Sequence, residues 1–157
     1  MFGQPWESHY AAAKTGLVGL TNVIALEGAE HDIKANSVLP FGFSRMVTET
    51  LGDAAALEET GFPKMVDPAP VVPIVTYLAG RDCEVSHQNC SAGTGHFARV
   101  FVGLSEGWGA PAGTVPRAED ICAHPPEMSS TDRFTVPGSI FEEVFAMCER
   151  LGVNALG

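Results

Sequence analysis

Basic residues are scarce in this chain. Its 157 residues include 9 Lys and Arg against 19 Asp and Glu, which gives a formal net charge of −10 with His neutral. Domains that bind nucleic acid present a basic face to the phosphate backbone, and anionic membrane surfaces attract basic segments. The charge balance therefore argues against nucleic acid and against a membrane surface as partners.

A long apolar run is also missing. The longest one, around Val71 to Ala79, contains Pro73 and falls well short of the roughly 20 apolar residues that span a bilayer. The residues from Met1 to Glu7 lack the basic and apolar regions of a secretory signal, and the final Ala-Leu-Gly is not a peroxisomal targeting signal. We therefore expect a cytoplasmic protein.

Cysteine is infrequent, and its spacing does not suggest a disulfide framework. None of the four forms a Cys-x-x-Cys pair, so we expect reduced thiols. Cys83, His87, Cys90 and His96 lie close together in the sequence and raise the possibility of a metal site. Structural zinc sites use tighter, paired spacings, and we predict no metal.

The composition is that of a folded protein, with 45% hydrophobic residues, and disorder would require lower hydrophobicity and higher charge. Apolar spacing predicts a long helix from about Ser8 to Glu30, and a strand from Ile33 to Leu39 follows it directly. This order is typical of a parallel α/β sheet. The other predicted elements are helices at 46–57, 70–78 and 139–151 and a strand at 95–103.

Chemistry is concentrated at the start of the long helix, where Tyr10 and Lys14 are four residues apart. Side chains at that spacing share one helix face, and an ammonium beside a phenol favours the phenolate. The pair can therefore act as a general acid or base. A partly exposed tyrosine beside a solvated lysine is the alternative, because this spacing arises by chance in many helices.

The residues around this pair resemble the short-chain dehydrogenase/reductase family. The match is strong over about Ser8 to Met46, fair from Pro70 to Val102 and thin beyond Gly103. Within the family, the segment 42–46 is most similar to the dehydrogenase part of the peroxisomal multifunctional enzyme of β-oxidation. The matching positions are Tyr10, Lys14, Gly16, Gly19, Leu20, Ala25, Glu27, Asn36 and Pro40.

The resemblance implies a fold and an activity. It implies the C-terminal part of a doubly wound parallel, Rossmann-like sheet over residues 1–103, with a loop-rich helical tail at 104–157. The implied reaction is NAD- or NADP-dependent hydride transfer between a small-molecule alcohol and its carbonyl. Tyr10 would exchange the proton with the substrate oxygen, and Lys14 would assist it and contact the nicotinamide ribose.

The loop after the strand would lie against the nicotinamide. Its residues are Pro40, Phe41, Gly42 and Ser44, with Ser44 as a contact for the nicotinamide amide. Two positions depart from the family pattern, because Phe41 stands where a glycine usually follows the proline and Ser44 stands in place of a threonine. Both departures put the contacts of this loop in question.

Other family features have no counterpart in the sequence. We find no strand followed by a Gly-x-x-x-Gly-x-Gly loop and a helix, and Pro111 argues against a phosphate loop in the glycine-dense segment from Gly103 to Gly113. The family's catalytic serine, about a dozen residues before the tyrosine, also has no equivalent. We therefore expect the C-terminal half of a dehydrogenase, incomplete and inactive by itself.

Two further interpretations stay open. One is a non-catalytic assembly module, because the tyrosine-bearing helix of the family often packs against its copy in another subunit, and Gly16 and Gly19 would allow close approach. This implies a homo-oligomer formed through the Tyr10–Lys14 helix. The other is a decayed fragment with neither role.

Overall fold

The computed structural model describes residues 1–44, 47–49 and 54–153. Its contacts divide the chain into two compact units, Met1–Val100 and Phe101–Gly157. In the described part of the chain, no helix combines the length and the apolarity that a membrane span requires.

The first unit begins with helix α1, Ser8–Gly28. Alanine and leucine are frequent along it, and both have high helix propensity. The helix ends in a single 3-10 turn, Ala29–His31, after which Asp32 adopts a left-handed conformation with φ 54°. The Ile33 N–H then donates to the Gly28 carbonyl at 2.9 Å. This closed turn directs the chain from the helix into the first strand.

Two parallel strands form the centre of this unit. Strand β1 is Asn36–Pro40 and strand β2 is Gln88–Gly93. They pair in a continuous register from Asn36 opposite Gln88 to Pro40 opposite Ala92. The strand predicted at 33–39 therefore begins three residues later than expected, and β2 was not predicted at all. Its polar and small residues carry no β-branched pattern to reveal it.

A third strand, β3, is His96–Val100 and pairs antiparallel with β2. The residues that join them, Thr94 and Gly95, both have positive φ, 53° and 79°, which is the signature of a two-residue type I′ hairpin. So short a loop cannot make the crossover that parallel strands require. The sheet, ordered β1-β2-β3, is therefore mixed, and the strand predicted at 95–103 ends earlier, at Val100.

Short helices connect β1 to β2. Residues 47–49 are helical, α2 is Ala54–Glu59 and α3 is Phe62–Met65. A 3-10 turn at Ala69–Val71 leads into α4, Val72–Ala79, which carries Pro73 in its first turn. The predicted helix at 46–57 lies partly outside the described residues. The helix predicted at 70–78 is confirmed, although its first turn is a 3-10 turn.

The second unit contains more regular structure than the predicted loop-rich tail. Strands β4, Leu104–Ser105, and β5, Phe134–Thr135, pair antiparallel. Between them lie α5, Ala118–Ala123, and α6, Pro125–Ser129. Helix α7, Ile140–Arg150, follows, and Ser139 caps it by accepting a hydrogen bond from the Glu142 N–H. The predicted final helix is thus confirmed.

The buried core is small. In the described part of the chain, the buried hydrophobic residues all belong to the first unit: Val18, Ala25, Val66, Val71, Cys83 and Ala92. By contrast, α1 exposes Leu17, Leu20 and Ile24, at 52%, 54% and 40%. Contiguous exposed apolar surface of this kind usually marks a site of association.

Two glycines of α1 should respond oppositely to substitution by alanine. A Cβ on Gly28 would lie 2.8 Å from the Ile33 carbonyl oxygen, so Gly28→Ala should destabilise the fold by about 1–3 kcal/mol. A Cβ on Gly16 would meet nothing within 4 Å, so Gly16→Ala should stabilise the helix by about 1 kcal/mol. Urea unfolding of both variants measures these shifts, and shifts of the same sign would contradict the described packing.

Candidate active site

Helix α1 positions the two side chains that the sequence singled out. Tyr10 and Lys14 lie on successive turns at its N-terminal end, and the Lys14 Nζ is 5.6 Å from the centroid of the Tyr10 ring. Tyr10 is 39% exposed, and Lys14 is exposed as well. The helix therefore brings the pair together with both residues exposed to solvent, as a proton-transfer pair that acts on an added substrate requires.

The loop after β1 is held in place by its backbone. The Phe41 N–H donates to the Ala92 carbonyl at 2.8 Å, and the Phe43 N–H donates to the Val66 carbonyl at 2.7 Å. The Ser44 carbonyl accepts from the Val47 N–H at 3.0 Å, which starts the next helical turn. The predicted contact residues thus lie in an ordered turn between the end of β2 and the segment that precedes α4.

Gly42 has a packing role in this loop. A Cβ at this position would lie 2.9 Å from the Pro68 Cβ, and a Cβ on Gly93 would lie 3.0 Å from the Phe41 Cβ. Only glycine allows such close approach. The glycine displaced by one residue from its usual family position therefore fits against Pro68, while the Phe41 side chain is 52% exposed.

The structure does not join all the predicted site residues. Across the described ranges, no hydrogen bond or ring contact links Tyr10 or Lys14 to the loop from Pro40 to Ser44. The turn at Gly28–Ile33 and strand β1 connect the two groups.

Asn36 is a supporting residue whose role the sequence did not reveal. Its Nδ2 donates to the Val85 carbonyl at 2.9 Å, and its Oδ1 accepts from the Gln88 N–H at 3.1 Å. One carboxamide thus bonds to the second segment at two points, at Val85 just before β2 and at Gln88, the first residue of β2. Ser37 adds a second link, because its hydroxyl donates to the Asn89 Oδ1 at 2.6 Å. These side chains fix the register of β1 on β2, and with it the position of the loop.

The cysteines and histidines considered as metal ligands do not form a site. Among the described residues, no group of three or more His, Cys, Asp or Glu side chains could hold a metal ion. The Cys83 thiol instead donates to the Val85 carbonyl at 3.4 Å. Burial raises the pKa of the Cys90 thiol, and this outweighs the opposite effect of the Arg99 charge. Cys90 therefore stays a neutral thiol in the sheet.

Comparisons with known proteins agree with this fold. No protein-family model matches the chain. A short-chain type dehydrogenase/reductase of Mycobacterium tuberculosis is 33% identical over 138 residues, covering 88% of this chain and 45% of the relative. A peroxisomal hydratase-dehydrogenase-epimerase of Saccharomyces cerevisiae is 36% identical over 100 residues, covering 64% of this chain and 10% of the relative.

A solved structure shows the same fold. The full-length peroxisomal multifunctional enzyme type 2 from Drosophila melanogaster superposes with a TM-score of 0.70 at 21% identity, covering 91% of this chain and 25% of that chain. The shared fold and the relatives together indicate the oxidoreductase class of enzymes. The homologues of this chain are short-chain dehydrogenases/reductases and the dehydrogenase parts of peroxisomal multifunctional enzymes. It spans less than half the length of the mycobacterial and yeast relatives.

NAD or NADP is the cofactor that this family implies, and the first unit fits its nicotinamide end. The Lys14 ammonium is exposed and can donate to ribose hydroxyls. In the loop, the N–H groups of Phe41 and Phe43 are already used within the protein. The Gly42 N–H and the exposed Ser44 hydroxyl have no partner among the described residues and can contact an amide.

The second unit does contain glycines at Gly-x-x-x-Gly-x-Gly spacing, namely Gly103, Gly107 and Gly109. A Cβ on Gly103 would lie 3.1 Å from the Phe134 ring, and one on Gly109 would lie 2.7 Å from the Leu151 side chain. The first helix after these glycines, α5, begins only at Ala118. At Gly103 and Gly109 the absent Cβ makes room for a neighbouring side chain, so this segment does not fit a phosphate loop.

The Asn36 link can be tested by truncation. Asn36→Ala removes two half-buried hydrogen bonds and leaves the Val85 carbonyl and the Gln88 N–H without these partners, so we expect a loss of about 1–3 kcal/mol in the free energy of unfolding. Ser37→Ala removes a single side-chain bond and should cost less. Chemical denaturation measures both variants. An unchanged unfolding midpoint for Asn36→Ala would show that the carboxamide does not hold the strands together.

Proposed function

We propose that this chain supplies the proton-transfer part of an NAD- or NADP-dependent oxidoreductase acting on a small-molecule alcohol and its carbonyl. The observation that carries this proposal is the exposed Tyr10–Lys14 pair at the start of α1, in a chain homologous to the short-chain dehydrogenase/reductase family. Homology to that family makes the reaction class an expectation, and the exposed tyrosine–lysine pair supports an acid–base role.

The chain's own residues would act on the proton and on the position of the reactants. The Tyr10 hydroxyl gives its proton to the substrate oxygen when a carbonyl is reduced, and the phenolate takes the proton back when an alcohol is oxidised. The Lys14 ammonium, 5.6 Å from the centroid of the Tyr10 ring, would donate to the ribose hydroxyls. The loop from Pro40 to Ser44 would hold the nicotinamide. The cofactor, when bound, supplies or accepts the hydride.

Tyr10→Phe tests the proton-transfer role. Removing the hydroxyl should lower the rate of cofactor oxidation or reduction by about 100-fold or more, which is the usual contribution of a general acid or base. Tyr77→Phe is the matched control, because Tyr77 is also exposed, at 47%, but lies on α4, and its rate should not change. The rate is followed by the absorbance of the reduced nicotinamide with simple secondary alcohols and ketones.

Three outcomes bear on the proposal. A rate retained in Tyr10→Phe would remove Tyr10 from the reaction. A loss in both tyrosine variants would point to general damage to the fold. No turnover in the parent chain is the result expected of an incomplete dehydrogenase half, and it would contradict an enzymatic role for this chain alone.

The second candidate function is assembly through α1. One observation favours it, namely the exposed stripe of Leu17, Leu20 and Ile24, which recur at helical spacing along the helix. A Cβ on Gly16 or Gly19 would meet nothing within 4 Å, so another helix has room to approach. We propose that a second copy of this helix covers the stripe.

Leu20→Glu tests this assembly. A carboxylate in an apolar interface is desolvated at high cost, so the variant should have a lower average molecular mass than the parent chain at the same concentration. Thr15→Glu is the matched control, since Thr15 is an exposed position of the same helix outside the stripe. Sedimentation equilibrium measures the molecular mass. An unchanged mass for Leu20→Glu, or equal loss in both variants, would contradict association through the stripe.

A further inference from the structure

Strand β3 presents a free edge. It is the last strand of the sheet, and no other strand pairs with its outer side in the described part of the chain. Its residues from His96 to Arg99 are exposed, and the Phe97 side chain is 44% exposed. Protein sheets usually protect such an edge by proline, by a bulge or by several charges. The strand contains no proline, its register with β2 is continuous, and Arg99 is its only Lys, Arg, Asp or Glu.

The hairpin determines which backbone groups face outward. In a two-residue hairpin, the residues that flank the loop exchange both hydrogen bonds, and the bonded pairs then alternate along the ladder. Gly93 and His96 are therefore a bonded pair, and Ala92 and Phe97 are not. An independent contact agrees with this phase, because the Ala92 carbonyl accepts from the Phe41 N–H on the β1 side.

It follows that the backbone groups of Phe97 and Arg99 point away from β2. By this alternation their N–H and carbonyl groups are not used in the ladder with β2, and no turn or loop hydrogen bond of the described residues involves them. Because the two residues are two apart, their side chains also lie on one face of the sheet. Ala98, between them, faces the other side.

We propose that the outer edge of β3 pairs antiparallel with β3 of a second copy of this chain, about a two-fold axis at Ala98. In this register Phe97 of each copy lies opposite Arg99 of the other, and each such pair exchanges two backbone hydrogen bonds. The guanidinium then meets an aromatic ring, a favourable cross-strand pair. The result is a sheet of six strands that continues through both copies.

The sequence of β3 favours pairing with a second copy of the chain, and it favours this register. Only centring at Ala98 pairs both outward-facing residues of β3 with each other. A shift of two residues toward the C-terminus would set Arg99 opposite Arg99, which repels, and a shift of one would oppose bonded and non-bonded positions. At the axis, two alanines meet at a non-bonded position, where the Cα atoms approach to about 4.5 Å and small side chains fit.

A cysteine at the axis tests the register. Ala98→Cys places two thiols at a non-bonded antiparallel pair, where the Cβ atoms lie roughly 4.5–5.5 Å apart, so mild oxidation should give a disulfide-linked dimer. The half-buried or exposed native thiols are first removed with Cys90→Ala, Cys122→Ser and Cys148→Ser. His96→Cys is the matched control, because in the proposed register position 96 of one copy lies four residues away from position 96 of the other. Equal linkage of both variants, or none with Ala98→Cys, would overturn the proposal.

A charge reversal at Phe97 tests the side-chain pairing independently. Phe97→Glu sets a carboxylate opposite Arg99 and should keep the dimer, whereas Phe97→Arg sets like charges opposite each other. Over two symmetric pairs the dissociation constants should differ by about tenfold. Both variants are made with Leu20→Glu, so that α1 does not contribute, and sedimentation equilibrium in about 0.15 M salt limits the general repulsion between acidic chains.

Each result of this comparison decides the matter. Tighter association of Phe97→Glu than of Phe97→Arg supports the pairing. Equal dissociation constants, with circular dichroism showing both variants folded, would overturn it. A Leu20→Glu chain that stays monomeric at the highest concentration reached would overturn it as well, and would leave the β3 edge to a different occupant.

Discussion

The parallel pairing of β1 with β2 is the constraint on which the first unit depends. These strands are separated by about fifty residues of chain, and their register is held by side chains as well as by backbone, through Asn36 and Ser37. The pairing places the loop after Pro40 against the end of β2. It also gives β2 a second neighbour, because β3 already pairs with β2 through the hairpin. Without this pairing, α1 would still carry Tyr10 and Lys14, but the loop that follows β1 would not be held in position.

This small sheet leaves much apolar surface uncovered. The described core contains few buried residues, while the stripe on α1 and the edge of β3 are both exposed. A helix stripe is covered by packing and a strand edge by hydrogen bonding, so the two surfaces require different contacts. They also lie on different elements of the same unit. Association through the α1 stripe would therefore leave the β3 edge available. Association through both surfaces would build an assembly larger than a dimer.

The elements that local pattern determines were predicted from the sequence, and the others were not. Helix α1 has good helix formers, and β1 is flanked by a turn and ends at Pro40, so both were found. Strand β2 has the residues Gln-Asn-Cys-Ser-Ala-Gly and is extended because β1 and β3 bond to it. Tertiary pairing of that kind overrides propensity. The Asn36 link was equally out of reach, because its partners lie some fifty residues away.

We propose that Tyr10, Lys14 and the loop from Phe41 to Ser44 face one nicotinamide group. The most direct measurement is chemical-shift mapping of the isotope-labelled chain during titration with NAD and NADP to millimolar concentration. We expect the Tyr10 ring, the Lys14 side chain and the backbone amides of Gly42 and Ser44 to shift together along one binding curve. Shifts confined to other parts of the chain, or none at all, would contradict the claim.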